Sequence, residues 1–498
     1  MRLRSAAVLL RATQTRLLLS IALLVTAGRT PFAVAGDTWF NLVGGREILE
    51  KGLVDRNDLT VDGYGTPVVD QQWLAHCIYV TVFQRCGAGG IVSLAALCTA
   101  GAFAACAWFG VARGATPGRT LAVGLLSLSV LIAQTVARAQ ALSVPLLAAC
   151  VLLLVQDARR PRRATWAVVP CAALWANLHG SVLLAPVMAG LLVLTRPLDA
   201  RRRGRAVGVR TLARDAGLAL TVLAAAFSSP YASRLPDYYR ATLLNPAFAA
   251  YVTEWGPATP RKDPQVLLLA GLVLALVTLA GARWLREPAE GRPSEARESP
   301  PVFELVLCFA LALCALRTVR YGTPLALAAA ALIPDRADAA LGERLRVDDD
   351  RPLRVLTALL APLAVLAFAA IPWIAGRVLR DQFPAAFTDA VARAAGATGT
   401  VLADESQADR LLWFHPELAR RVSHDSRMEI LPGSFLDDLA LAYGQPDARR
   451  ARVFLASYDV VVVDRDHHRR LLEWFLQDRS WRSVAADPLA MAFERSPG

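Results

Sequence analysis

The chain has 498 residues, 55% of them hydrophobic, with a formal net charge of +12 and a mean hydropathy of +0.39. That is too apolar for an ordinary soluble protein and fits a polytopic membrane protein. The charge comes almost wholly from arginine, since Lys51 and Lys262 are the only lysines. These arginines sit in short clusters between apolar runs, the pattern of cytoplasmic loops, and this discounts nucleic acid as a partner.

At the N-terminus, Arg2, Arg4, Arg11 and Arg16 precede the apolar run LLLSIALLVTAG, and AVA ends at Ala35. This has the form of a signal peptide with its cleavage site. An uncleaved first span is the preferred reading, because many more spans follow. Either way, the segment after Ala35 lies outside the cytoplasm. A span needs about 20 apolar residues. Candidate stretches are 17–35, 89–112, 120–136, 140–156, 165–178, 181–195, 214–228, 265–285, 302–316, 321–334 and 354–375, about eleven in all. The fold class expected is a polytopic α-helical membrane protein.

Arginine placement tests this threading. Arg113 and Arg119 mark one basic loop, and Arg159, Arg160, Arg162 and Arg163 a second. Arg196, Arg201, Arg202, Arg203 and Arg205 mark a third. Arg283, Arg286, Arg292 and Arg297 mark a fourth, and Arg336, Arg344 and Arg346 a fifth. The positive-inside rule puts all five in the cytoplasm. The chain must then cross an even number of times between them, so 120–156, 165–195 and 302–334 are hairpins. The N-terminus is inside and the C-terminus outside.

The hairpin tips carry ARAQALS (Arg138, Gln140), WANLHGS (Asn177, His179) and LRTVRYG (Arg317, Arg320, Tyr321). All three point to the side that holds Asp37. Polar groups at membrane depth are costly unless they pair, line a cavity or bind something.

Residues 37–88 form a first outer loop of net negative charge. TWFNLVGGREILEKG has the pattern of an amphipathic helix ending at Gly52. WLAHCIYVTVFQRCG is apolar enough to lie in the interface, with Trp73 and Tyr79 as belt aromatics. A second outer loop, 229–263, is rich in Pro and Tyr and reads as irregular structure with short helices. It carries Glu254, a second candidate carboxylate. Residues 1–380 thus make a transmembrane domain.

From 381 to 498 the composition is that of a soluble domain. GTVLADES, ARRVSHDS and ARVFLASYDVVVVDRD read as strands, and QADRLLWF, FLDDLALAYG and HHRRLLEWFLQD as helices. The alternation predicts a small extracytoplasmic α/β domain with a largely parallel sheet. No Gly-rich phosphate loop follows a strand. His467 and His468 beside Asp466 read as a solvated helix start in preference to a metal site. The eight cysteines, Cys77 to Cys314, form no CxxC pair and read as small apolar fillers.

The order is a first span, an acid directly after it in GDTWF, an outer loop with amphipathic helices, a many-span bundle and an outer C-terminal domain. This order resembles the GT-C superfamily of integral-membrane glycosyltransferases. The bacterial members akin to protein O-mannosyltransferases and lipid A sugar transferases are the nearest type. WLAHCIYV, ARAQALS, WANLHGS, NPAF, TEW, LRTVRYG and SHDSRMEI also resemble segments of bacterial proteins of this kind. The resemblance implies a bacterial inner-membrane enzyme with a polyprenyl-phosphate-sugar donor and a glycan, lipid or protein acceptor. It gives Asp37 the catalytic role. Two departures stand out: Thr38 replaces the second acid found in many relatives, and the tail lacks the WWD-type motif of the oligosaccharyltransferase branch. A divalent metal stays open, since metal dependence varies within the superfamily.

The chemistry asks for the same parts. A base must deprotonate the acceptor hydroxyl as it attacks the sugar carbon, which suits Asp37. Cations must stabilise the departing phosphate, for which Arg138, Arg317 and Arg320 are available. Asn177, His179 and Glu254 are placed to orient donor or acceptor. The competing readings are a non-catalytic envelope assembly protein and a lipid or solute transporter. No internal repeat of the kind transporters show is visible.

Overall fold

The computed structural model describes residues 2–133, 136–202, 204, 206–244, 253–286, 301–341 and 351–496. The NPAF segment and Arg203, Arg205, Arg292, Arg297, Arg344 and Arg346 lie outside these described residues. Every stretch read above as a span is mostly helical where described. The helices in chain order are α1 (Arg2–Gly28), α2 (Gly36–Lys51), α3 (Trp73–Ala112), α4 (Pro117–Ala133), α5 (Ala139–Arg159), α6 (Val168–Trp175) and α7 (Leu184–Arg202). They continue as α8 (Val209–Ala226), α9 (Leu235–Leu243), α10 (Pro264–Arg286), α11 (Val302–Arg317), α12 (Gly322–Leu341) and α13 (Arg351–Gln382). By length and composition, 5 helices among the described residues are long and apolar enough to cross a membrane, and two shorter apolar ones accompany them.

Small residues set how closely these helices pack, as expected where lipid offers no hydrophobic drive between helices. A Cβ on Gly110 of α3 would lie 2.6 Å from the Ala330 carbonyl oxygen of α12, and one on Gly89 would lie 2.3 Å from Cα of Pro372 in α13. The run Leu325–Ile333 of α12 is buried throughout, which makes it the axial helix of the bundle. Between its two halves α3 bends at Gly87, whose φ of 62° only glycine adopts readily. The half before the bend is a separate helical segment that buries Ala75, His76, Tyr79 and Val80 and so does not lie free on the interface. Tyr79 is fully buried there, and its hydroxyl donates to the Arg138 carbonyl oxygen at 2.8 Å. The belt role expected for Tyr79 is thus corrected: a phenol with a buried partner packs inside.

Ion pairs fix which helix ends lie together. Glu304 at the start of α11 is almost wholly buried and accepts from Arg113 (2.9 Å), Arg159 (2.8 Å) and Arg336 (2.8 Å). Asp157 and Asp215 clasp Arg196 and Arg214 nearby in chain terms. Several of the arginines read as loop charge are therefore tied into helix ends. This gathers the end of α3, the end of α5, the start of α11 and the far part of α12 on one side. The tips between helices gather on the other.

The tail builds α14 (Ala385–Ala395), α15 (Glu405–Phe414), α16 (Gly433–Gly444), α17 (Arg449–Leu455) and α18 (Arg469–Gln477) around a four-stranded sheet. Its strands are β1 (Val401–Leu402), β2 (Val460–Asp464), β3 (Trp481–Ala486) and β4 (Ala490–Arg495), in the order β1-β2-β4-β3. Only β1 and β2 are parallel; β2–β4 and β3–β4 are antiparallel. The expected largely parallel sheet is corrected on this point. The last two strands are joined by a short turn in which Asp487 accepts the amides of Leu489 and Ala490, and so short a link permits only antiparallel pairing. The ARRVSHDS segment is not a strand: Val422 makes isolated bridges to Val401 and to Thr60 of the first outer loop.

The tail and the first outer loop share one core. Val43 and Leu59 pack with Phe387, Val391, Val401, Leu411 and Val460. Arg46 of α2 donates to the carbonyls of Leu412 (2.6 Å) and Trp413 (2.8 Å), satisfying the free end of α15. Arg410 pairs with Asp487 at 2.7 Å with both side chains fully buried, and breaking such a pair from one side costs about 3–5 kcal/mol.

Candidate functional site

Hydrogen bonds bring Asp37 to the tip of the first hairpin. Ala35 is extended and precedes α2, whose first turn holds Asp37. The Ala35 amide donates to the Thr38 hydroxyl, which donates in turn to the Ala137 carbonyl oxygen at 3.0 Å. The Ala137 amide donates back to Ala33 at 2.9 Å. Thr38 therefore does a structural job: it is buried and stitches the two segments. The stitch sets Arg138 at 3.5 Å from Asp37.

Arg138 also donates to Glu254 at 2.6 Å. Glu254 sits in a short turn, Thr253–Trp255, held against the third tip by Val319 N–H donating to Gly256 and Ala258 N–H donating to Leu316. Burial alone would raise the Glu254 carboxyl; Arg138, with Arg320 behind it, outweighs that and holds it below its usual range. Arg320 lies 5.4 Å over the Trp255 ring, with its guanidinium 3.1 Å from His179 Nε2. His179 Nδ1 accepts the Ser181 amide at 3.1 Å and lies 2.7 Å from the Ser181 hydroxyl. Asp37, Arg138, His179, Glu254 and Arg320 thus come together, from five places in the chain.

Two of the sequence candidates stand apart. Asn177 donates to Ala173 (2.8 Å) and Ser228 (2.7 Å) and accepts from the Trp73 indole at 2.8 Å, which clasps three segments behind the site. Arg317 is exposed at the end of α11 and does not line the central cavity.

That cavity has a volume of about 1240 Å³, and its walls come from all parts of the chain. One wing is apolar, between α5, α7 and α11, with Leu147, Leu184, Met188, Leu307 and Leu311. Arg138 and Arg320 stand with Asp37 where it meets the polar part. A second wing is walled by the tail, with Asp404, Glu405, Tyr443, Asp464, His467 and His468. Asp464 raises the His467 imidazole to about 9 through a 3.0 Å hydrogen bond, whereas burial lowers His468, stacked 3.6 Å from Tyr443, to about 4. Among the described residues no group of three or more His, Cys, Asp or Glu side chains is placed to hold a metal ion.

The tail's contribution was not anticipated from sequence. The sign was present in LADES, where an acid precedes a helix: Asp404 accepts the Gln407 amide at 2.9 Å as an N-cap. Burial and Glu405 raise its carboxyl to about 7. A raised carboxyl stabilises the fold when protonated, fully below about pH 4, and that stabilisation is lost as pH rises through about 7. Asparagine keeps the cap without the charge. Asp404→Asn is therefore expected to raise the thermal midpoint by a few degrees, about 2–4 °C, at pH 8, with the gain shrinking towards pH 4. A gain that does not change with pH would show that the carboxyl is not the cause.

No family model and no curated protein matches this chain. Its fold is nonetheless similar to that of a solved structure, and 5 helices among the described residues are long and apolar enough to cross a membrane. The solved structure that carries this is ArnT from Cupriavidus metallidurans bound to undecaprenyl phosphate, which is similar over 97% of this chain and 99% of its own, with a TM-score of 0.50 at 13% identity. ArnT in the apo state matches with a TM-score of 0.47 and 14% identity over 97% and 98% of the two chains. The Archaeoglobus fulgidus oligosaccharyltransferase in the apo form gives 0.46 and 12% over 90% of this chain and 69% of its own.

Proposed function

We propose that this protein is a glycosyltransferase of the bacterial inner membrane. It moves a sugar from a polyprenyl-phosphate donor to an acceptor outside the cytoplasm, with inversion at the sugar carbon. The observation that carries this reading is the placement of Arg138 and Arg320, with Asp37, at the polar end of an apolar wing in one cavity. The solved structure of similar fold, ArnT, binds undecaprenyl phosphate. In this reading the lipid lies in the wing between α5, α7 and α11. Arg138 and Arg320 hold the phosphate as it leaves, Asp37 takes the proton of the acceptor hydroxyl, and His179 packs beside the Arg320 guanidinium. Arg317 steers the anionic headgroup from the surface, and Asn177 keeps the tips aligned. Eleven crossings, with the N-terminus inside and the tail outside, follow from the arginine distribution.

The test is mass spectrometry of envelope glycans and lipid-linked sugars in a deletion strain. A sugar lost from the envelope and retained on polyprenyl phosphate is the expected result. Unchanged pools of both would overturn the proposal.

A further inference from the structure

A base that takes a proton from the acceptor must lose it again before the next turnover. Around Asp37 few groups can receive it. Arg138, at 3.5 Å, is a guanidinium and takes no proton. Glu254 is held below its usual range by that same guanidinium and is a weak base. The apolar wing offers side chains such as Leu147, Met188 and Leu311. The tail wing is the remaining side.

The packing of α2 beside α15 brings the tail to Asp37. A Cβ on Gly36 would lie 2.9 Å from Ser406 Cβ, so the two helix starts touch there. Further along, Arg46 of α2 holds the carbonyls of Leu412 and Trp413 in the last turn of α15. The helices therefore run side by side in the same direction, start against start. Each carries an acid in its first turn, Asp37 in α2 and Glu405 in α15. Both side chains line the cavity and are open to it.

Glu405 meets charge from every neighbouring element. Asp37 comes from α2, Asp404 precedes it, Asp464 and His467 stand at and beyond the end of β2, and Tyr443 comes from α16. Its carboxylate is open to the cavity yet set deep between tail and bundle. That depth raises its carboxyl, and Asp37 and Asp464 add to the rise against its own amide and the His467 imidazolium. A raised carboxylate is a stronger base than an ordinary one.

We propose that Glu405 is the proton outlet of the transfer centre, taking from Asp37, through cavity water, the proton that Asp37 has taken from the acceptor hydroxyl. The proposal rests on the transfer reading above. The acceptor O–H bond breaks as its oxygen bonds to the sugar carbon. The bond from that carbon to the phosphate oxygen breaks, and its electron pair leaves with the phosphate. The proton passes to Asp37 Oδ, then to Glu405 Oε, then to solvent, and Asp37 is an anion again. Glu405 thus acts through Asp37.

The test uses full-length protein in nanodiscs, with undecaprenyl-phosphate hexoses and pentoses as donors and methyl glycosides as acceptors. Glu405→Gln is expected to complete its first turnover at the wild-type rate, because Asp37 is intact. Later turnovers are expected to be about 10-fold to 100-fold slower, with KM unchanged. Added formate, a small soluble base, should restore them, and Glu405→Asp should retain most of the rate. A second measurement needs no transfer. Infrared titration follows the carboxyl band that Glu405→Gln removes, and its midpoint should fall in Asp37→Asn, where a neighbouring negative charge is gone. If the wild type transfers nothing while the midpoint still falls, the proposed transfer fails and the exchange between the two carboxylates stands. An unchanged midpoint, a first turnover slowed as much as the later ones, steady turnover at the wild-type rate, or no rescue by formate would overturn the assignment.

Discussion

Purified Asp37→Asn protein is expected to transfer sugar about 10²–10⁴ times more slowly than the wild type, the range a positioned general base contributes. The substitution is close to isosteric, so the stitch through Thr38 and Ala137 remains and the first turn of α2 keeps its place. The amide still accepts from Arg138 but no longer takes a proton. The loss should therefore fall on kcat, with the affinity for lipid phosphate nearly unchanged. Asp37→Ala would remove the Arg138 contact as well and is the less informative variant. Transfer at the wild-type rate by Asp37→Asn would remove Asp37 from the base role. Attention would then pass to Glu405, which lines the same cavity and whose carboxyl burial raises.

The helices were legible because length and hydropathy alone decide them in a membrane chain. The candidate stretches 89–112, 140–156 and 265–285 fall inside α3, α5 and α10. The grouping of Asp37, Arg138, His179 and Arg320 was legible for a related reason: charges at the ends of spans on one side of a bundle have few places to go. What stayed hidden depends on pairing between distant segments. Nothing local in Asn177 distinguishes a clasp from a ligand contact; its role follows from Trp73 and Ser228, far away in the chain. His76 looked like part of an interfacial helix, because its burial is created by packing against α2. The parallel reading of the tail failed for want of β3 and β4, whose sequences, WRSVAA and AMAFER, carry weak strand signals.

The second large effect concerns Arg138. Its guanidinium is shared between Glu254 at 2.6 Å and Asp37 at 3.5 Å, so Glu254 stands where a phosphate oxygen would compete. Binding of a lipid phosphate then exchanges one anion for another at Arg138, and Glu254 must give way. Arg138→Leu is expected to weaken undecaprenyl phosphate binding by about 100-fold, because it removes a charge-assisted contact worth about 1.5–3 kcal/mol and leaves two carboxylates facing each other. Glu254→Gln should act in the opposite direction and tighten the same binding, since it removes the competitor. The pair gives a cycle: with Leu at 138, the change at Glu254 should alter binding far less than it does in the wild type. Equal effects of Glu254→Gln in both backgrounds would show that Glu254 acts independently of Arg138. The exchange would then have to be sought at Arg320, whose guanidinium already engages His179 and the Trp255 ring and so has less freedom to turn towards a new anion.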